Sequence, residues 1–383
     1  MKTRGSILII VMITLLFTVT ALVAFMERAR NDLAVEARSV IADRLRMEAY
    51  SAVEVTLATL EDFRLADNGL HSTSEGWGDP LGWAGWTPSP GHTVEVAFED
   101  ESGKIPLIHV DATLLNNLFA NWGMADTDAK HLTDVLLAWM QKNYISTTAF
   151  SPDYEQSAVP YDPPLRPMRS FTELASIDFA KDLFYDKGVP NGLWWRFCSD
   201  FSIFNYAKPD INGANPDVMA AVGQFGDTQQ QSVAGYLTGT GTYSTLGQQW
   251  FQDTNALRGV VGAVGNPGSF ATTITALRIN VTVHEGRSQY RLSCVIAPQG
   301  GARTVQTTAT DMRKGTSSGT TGEAGSSTTL PGQASTSQST AAPTTAQTAA
   351  AATVNLQYPF TVLEIQENDG IPTPPPPPPP PSK

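Results

Sequence analysis

The chain has 383 residues, room for two domains of ordinary size, a formal net charge of −12 and only two cysteines, Cys198 and Cys294. The acidic balance argues against a nucleic-acid partner, which needs a basic face. Two cysteines exclude a disulfide scaffold, and Cys294, alternating with Tyr290, Leu292 and Ile296 on a predicted strand, reads as a buried free thiol.

The chain opens on a short polar piece, Met1-Lys2-Thr3-Arg4-Gly5, followed by an uncharged run from Ser6 to Met26. At ~1.5 Å per residue the run covers roughly 30 Å, the hydrocarbon thickness of a bilayer. Lys2 and Arg4 hold its start on the cytoplasmic side and send the rest outward. One reading is a secretory signal peptide cut after Ala21 or Ala24. The other rests on Gly5: a glycine between a basic leader and an apolar run resembles the cleavage site of type IV prepilins and pseudopilins, where the run stays attached as helix. No glycine or proline occurs between Gly5 and Gly69. Leu33, Ala37, Ile41, Leu45, Ala49, Val53, Leu57 and Leu60 recur at helical spacing, and Asn68-Gly69 supplies a stop. The pattern predicts one helix of roughly 90 Å, anchor and stalk in one piece, which favours the second reading.

Residues 69–91 read as a loop whose Trp77, Trp83 and Trp86 pack onto the domain rather than stack a ligand. His92–Glu99 alternates as a strand, Asp100–Gly103 turns, and Lys104–Ile108 continues extended. Helices are predicted over 112–121, over 126–142 with Asp126 or Thr127 as cap, over 171–185, from Asn215-Pro216 onward, and over 229–237 and 246–252. Trp194, Trp195 and Phe197 read as core. Thr275–His284 and Gln289–Ala297 form a hairpin around Glu285-Gly286-Arg287-Ser288. A further strand is expected over 305–312 and a last one over 353–366. Between them, 314–352 is a Ser/Thr/Gly/Ala run with too little apolar surface to order itself. Pro374–Pro381 predicts a polyproline II tail.

No catalytic constellation is spelled out. The histidines (His71, His92, His109, His131, His284) lack HExxH spacing. Gly315-Thr316-Ser317-Ser318-Gly319 spells GxSxG, but inside the low-complexity run, without the strand and helix of a nucleophile elbow. Gly239-Thr240-Gly241 and Gly103-Lys104 lack the rest of a nucleotide-binding loop. Glu99, Asp100 and Glu101 read as a solvated turn rather than an oxygen cage.

Four stretches, in order, resemble the protein K family of minor pseudopilins of type II secretion systems. They are Phe98-Glu99-Asp100-Glu101-Ser102-Gly103-Lys104-Ile105 with the leucine-rich helix after it; Leu132–Trp139; Tyr161–Pro167 with Phe171-Thr172-Glu173-Leu174; and Asp210–Pro216 with Val218-Met219. The chain departs from the family at Pro106 and at Met140-Gln141 after Trp139. The resemblance implies an α+β pseudopilin fold: a long N-terminal helix, a small antiparallel sheet and a large inserted helical domain. The expected division is 1–5 leader, 6–26 and 27–68 the membrane and amphipathic halves of the helix, 69–110 the first part of the sheet domain, 111–270 the insertion, 271–313 the hairpin, 314–352 the disordered insertion, 353–367 the last strand and 368–383 the tail.

The resemblance further implies cleavage by a prepilin peptidase between Gly5 and Ser6, methylation of the Ser6 amine, and a single span in the inner membrane with the head in the periplasm. The implied partners are other minor pseudopilins, the major pseudopilin and the inner-membrane secretion platform. The implied function is to cap the tip of the periplasmic pseudopilus and help initiate it, for export of folded proteins, with no enzymatic activity. Most pilins and pseudopilins carry glutamate at the fifth mature position, here Ile10. A subunit with no neighbour above it has nothing to pair with that carboxylate, so isoleucine agrees with a tip position. No cofactor is expected; calcium, associated with related pseudopilins, is an alternative without an assigned place. Rival readings are a minor pilin of a type IV pilus or competence system and a signal-anchored periplasmic enzyme.

Overall fold

The computed structural model describes residues 4–149, 154, 160–305 and 359–368. The expectations over 306–358, including the disordered insertion, most of the 305–312 strand and the GxSxG match, lie outside the described residues, as does the proline tail.

The elements run in order: α1 (Arg4–Asp67), α2 (Pro80–Trp83), β1 (His92–Asp100), β2 (Ile105–Pro106), α3 (Ala112–Asn121), α4 (Asp126–Met140), α5 (Ala180–Phe184), β3 (Tyr185–Asp186), β4 (Val189–Pro190), α6 (Gly192–Asp200), β5 (Phe201–Ser202), α7 (Pro216–Gly223), α8 (Asp227–Thr238), α9 (Thr254–Val261), β6 (Leu277–Glu285), β7 (Ser288–Pro298) and β8 (Phe360–Glu367). The main sheet is antiparallel in the order β1-β6-β7-β8. Its register sets Val96 opposite Val281 and Val281 opposite Leu292, so one pleat face is continuously apolar.

That face packs on the second half of α1. Leu45, Ala49, Ala52, Val53, Leu57 and Leu60 are buried against Leu277, Ile279, Val281 and Val283 of β6 and Tyr290, Leu292, Cys294 and Ile296 of β7. Ala49 and Ala52 have no side chain beyond Cβ, which allows helix and strands to approach closely. Each fully buried large aliphatic side chain contributes about 1.5–3 kcal/mol. The stripe does not continue to its N-terminal end: Leu33 is 71% exposed.

A second core, separate from the first, lies wholly within residues 105–270. Leu118, Phe119, Leu132, Leu136, Phe197 and Phe225 are among its buried members. A small third cluster, with Phe204, Tyr206, Val295 and Ala297, lies on the opposite face of the sheet.

Several local expectations change. The 171–185 helix is two pieces, a 3-10 turn over Phe171–Ser176 and α5, because Phe179 between them takes φ 64°, outside the right-handed helical region. No helix forms over 246–252: Gly247 sits at φ 70°, and its backbone lies where a Cβ on Gly239 would stand, 2.3 Å away. The cap of α4 is Ala125 without a side-chain bond, while Asp126 and Asp128 in the first turn meet the helix dipole. Trp77 is buried, its indole donating to Glu75 at 2.8 Å, and Trp86 packs on the sheet core, but Trp83 is exposed beside Phe63. Trp194 and Phe197 are buried and Trp195 is half-buried. Cys198 and Cys294 are both free, Cys294 buried in the sheet core.

Candidate functional site

Two regions carry the residues singled out in the sequence. The first is the exposed N-terminal part of α1. Gly5 and Ser6 lie in its first turn, and Ile10 is 58% exposed on its side. Among the described residues it is the one helix long and apolar enough to cross a membrane by length and composition. Its threonine hydroxyls are satisfied within the helix: Thr14 donates to the Val11 carbonyl at 2.9 Å, Thr20 to the Leu16 carbonyl at 2.7 Å, and Thr18 to the Thr14 carbonyl. Bonds back to the preceding turn let polar side chains sit in hydrocarbon without an unpaired group. Beyond the uncharged run, Val35, Val40 and Met47 remain exposed on the helix, an apolar surface that the head leaves uncovered.

The second region is the join between sheet and helical core, where the family-like segments meet. Asp100 ends β1 and caps the turn after it: its Oδ1 accepts from the Ser102 amide at 2.9 Å and hydroxyl at 2.6 Å. Ser102 in turn accepts from the Thr275 amide at 3.0 Å, tying the turn to the entry of β6. The Ser102 carbonyl accepts from the Asp210 amide at 2.8 Å, which brings the Asp210–Pro216 segment onto the turn. Gly103 and Gly213 let the two backbones touch; a Cβ on Gly103 would stand 2.4 Å from the Gly213 carbonyl carbon. Asn212 fixes the far side. Its amide nitrogen donates to the Phe251 and Thr272 carbonyls at 3.1 and 3.0 Å, and its oxygen accepts from the Phe251 amide at 2.8 Å.

Charges fill this join. Glu101 is fully buried. Burial pushes its carboxyl up, but Lys104 (Nζ to Oε2 3.1 Å) and Arg278 (Nη2 to Oε2 3.3 Å) outweigh burial and hold it below the ordinary range. Lys104 also meets Glu99 at 2.6 Å and Arg278 meets Glu364 of β8 at 3.5 Å, so the network runs from the turn to the edge strand. The carboxylates weighed for calcium are thus engaged by protein partners, Asp100 by Ser102, Glu99 and Glu101 by cations. Tyr206 bridges the Glu101 and Lys104 carbonyls at 2.9 and 2.7 Å. In the helical core the remaining two segments converge on Glu173, which receives the Trp139 indole at 3.2 Å, Arg166 at 3.0 Å and the Arg169 amide at 2.9 Å. The segments that carry the resemblance are therefore the joints of the molecule.

Sequence reasoning missed Arg278 and the tie between Arg46 of α1 and Glu367 of β8, 2.9 Å long and shared with the Tyr50 hydroxyl at 2.6 Å. Arg278 sits at an outward position of an ordinary alternating strand, and Glu367 is remote in sequence from Arg46; neither carries a local signal.

The family model for protein K of the type II secretion system matches residues 106–190. No curated protein sequence matches the chain. Among solved structures four chains match. One belongs to the crystal structure of the GspK-GspI-GspJ complex from the type 2 secretion system of enterotoxigenic Escherichia coli, with 12% identity, a TM-score of 0.50, and coverage of 69% of this chain and 93% of that chain. At that identity the likeness is one of fold. The protein K match thus lies inside the helical core, in a chain whose fold is similar to that solved structure and which carries one helix fit to cross a membrane ahead of the match.

Proposed function

We propose that the protein is cut between Gly5 and Ser6 by a prepilin peptidase, is methylated on the Ser6 amine, and is held by α1 in the inner membrane with its head in the periplasm. There α1 packs beside the helices of other minor pseudopilins and the major pseudopilin, and the head caps the tip of a short pseudopilus that it helps to start on the inner-membrane platform. The filament exports folded proteins across the outer membrane. The chain binds and assembles; no reaction is assigned to it.

The observation that carries this reading is the protein K match at residues 106–190, within a helical core of its own set on the sheet that α1 supports. Three features support it. The apolar surface of α1 is uncovered from Ile9 to Val40 and needs a partner outside hydrocarbon. Ile10 stands where a filament-internal subunit would use a carboxylate to pair with its neighbour. In the solved complex of similar fold, GspK is assembled with GspI and GspJ. Mass spectrometry of the chain extracted from membranes tests the reading: it should begin at methylated Ser6, and Gly5→Ala should keep the leader. A mature chain beginning beyond Ala21, free of the membrane, overturns it.

A further inference from the structure

Between the helical core and the outward face of the sheet lies a cleft of about 490 Å³. One wall is aromatic: Trp194 and Trp195 stand edge to face, centroids 4.8 Å apart and planes at 85°, and Phe171 lies beside them. Trp195 and Phe171 are only half-buried, so part of each ring faces solvent. The other wall is the polar face of β6 and β7, where Asn280, Thr282 and Arg291 supply hydrogen-bond donors. Perpendicular indoles opposite a row of donors suit one kind of ligand. A polyproline II segment offers apolar ring faces, and its carbonyls have no partners within the segment. It also loses little conformational freedom on binding, because proline has already fixed its backbone.

The chain itself carries such a segment next to the cleft. Gln366 of β8 lines the rim, and the Arg291 amide donates to the Asn368 side chain at 2.9 Å. Asn368 takes φ 41°, which turns the chain off the strand at that rim. Beyond it lie Ile371-Pro372-Thr373, the unbroken Pro374–Pro381 and Ser382-Lys383. At ~3.1 Å per residue in polyproline II these thirteen residues reach roughly 40 Å, ample to lie along the cleft. We propose that the cleft is a polyproline II-binding groove and that its occupant is this tail, folded back within the same molecule. The pseudopilin reading does not enter the argument and stands or falls separately.

The test uses the full chain in detergent, a chain ending at Asn368, and a synthetic peptide of Ile371–Lys383, with binding followed by tryptophan fluorescence. The shortened chain should bind the peptide saturably. The full chain should bind it about tenfold more weakly, since a tethered ligand at an effective concentration on the order of 1 mM competes with a Kd on the order of 0.1 mM. Trp195→Ala in the shortened chain should lose the binding. A full chain with Pro374–Pro381 replaced by glycine leaves the folded core untouched and should take up the peptide as the shortened chain does. No saturable binding to the shortened chain overturns the groove. Equal binding by full and shortened chains overturns the tail as its occupant and leaves the groove to a proline-rich segment of another protein. Undiminished binding by a folded Trp195→Ala chain overturns the aromatic wall as the contact.

Discussion

Asp100 and Asp210 meet carboxyl to carboxyl inside the join between sheet and helical core. The Oδ2 of each is buried without a hydrogen-bond partner. Asp210 is fully buried; Asp100 is partly exposed as a residue, but its Oδ2 is not. Burial pushes Asp100 up to about 6, against the pull of the Ser102 bonds. Burial and the charge of Asp100 push Asp210 well above the ordinary carboxyl range. Two carboxylates this close cannot both ionise at small cost, so the pair shares a proton.

The sign of the resulting pH dependence is opposite to that of most carboxylates. A folded-state value above the unfolded one means that the folded chain holds the proton more tightly. The stabilisation is complete below the unfolded value near 3.8 and is lost as pH rises through about 6. Urea unfolding in detergent should therefore show the join losing stability between pH 4 and pH 7 (a window spanning both values). Asp210→Asn keeps a donor for Asp100 without the second charge and should flatten that slope. An equal slope in the variant would place the titration elsewhere.

Gly213 makes the approach of the two segments sterically feasible. A Cβ there would lie 2.2 Å from Asp100 Oδ2 and 2.5 Å from Asp100 Cβ, so one of the backbones must move. Gly213→Ala should cost more than about 3 kcal/mol, in the range of other severe core overpacking. Gly286→Ala is the reference: its φ of 59° strains an alanine, but nothing lies within 4 Å, and the cost should stay near 1 kcal/mol. Thermal unfolding of the two variants compares them directly.

Arg278 is the cation that Glu101 shares with Glu364 and Glu99. Arg278→Met keeps the stem and removes the charge, leaving a buried carboxylate with Lys104 alone. Removing one partner of a buried ion pair costs about 3–5 kcal/mol. Adding Glu101→Gln to Arg278→Met should recover much of the loss, because the uncompensated charge goes with it. A double variant no more stable than the single would show that the loss came from packing.

The edge strand β8 is held to the stalk by Arg46 and Glu367. Their bond, with that of Tyr50, holds Glu367 down at about 2, so here stability is present above the ordinary value near 4.5 and fades as pH falls through 2. Both side chains are exposed enough for solvent to screen them. Glu367→Gln should therefore leave global unfolding little changed while amide exchange in Phe360–Glu367 quickens. Unchanged exchange would mean that the pairing with β7 alone holds the strand.

What could be read in the sequence follows from the range of the interactions. The length of α1 was legible because helix breakers are missing from Ser6 to Asn68, and β6 and β7 because period-two burial is written residue by residue around Gly286. The break at Phe179 was not, since a phenylalanine at positive φ is imposed by its surroundings and leaves no mark in composition. Nor was the absence of helix near Phe251, whose backbone is held by Asn212 from another segment. Asp100 and Asp210 are each unremarkable locally; the pair exists only because Gly103 and Gly213 bring distant segments into contact.

Ile10 bears on assembly rather than folding. It projects from α1 within the apolar run, 58% exposed in the isolated chain, so hydrocarbon or a neighbouring helix must cover it. A carboxylate at that depth costs about 2.5–3.5 kcal/mol when unpaired and is tolerated where a positive group meets it. If this chain is the first subunit, Ile10→Glu finds no amino terminus above it, and the filament should start less often. Secretion of a folded reporter should fall while the amount of head in the membrane stays constant, and Ile10→Gln, uncharged, should fall less. If instead the chain sits within the filament, Ile10→Glu would gain a partner amine and secretion would hold or rise, which removes the tip position while leaving cleavage at Gly5 intact.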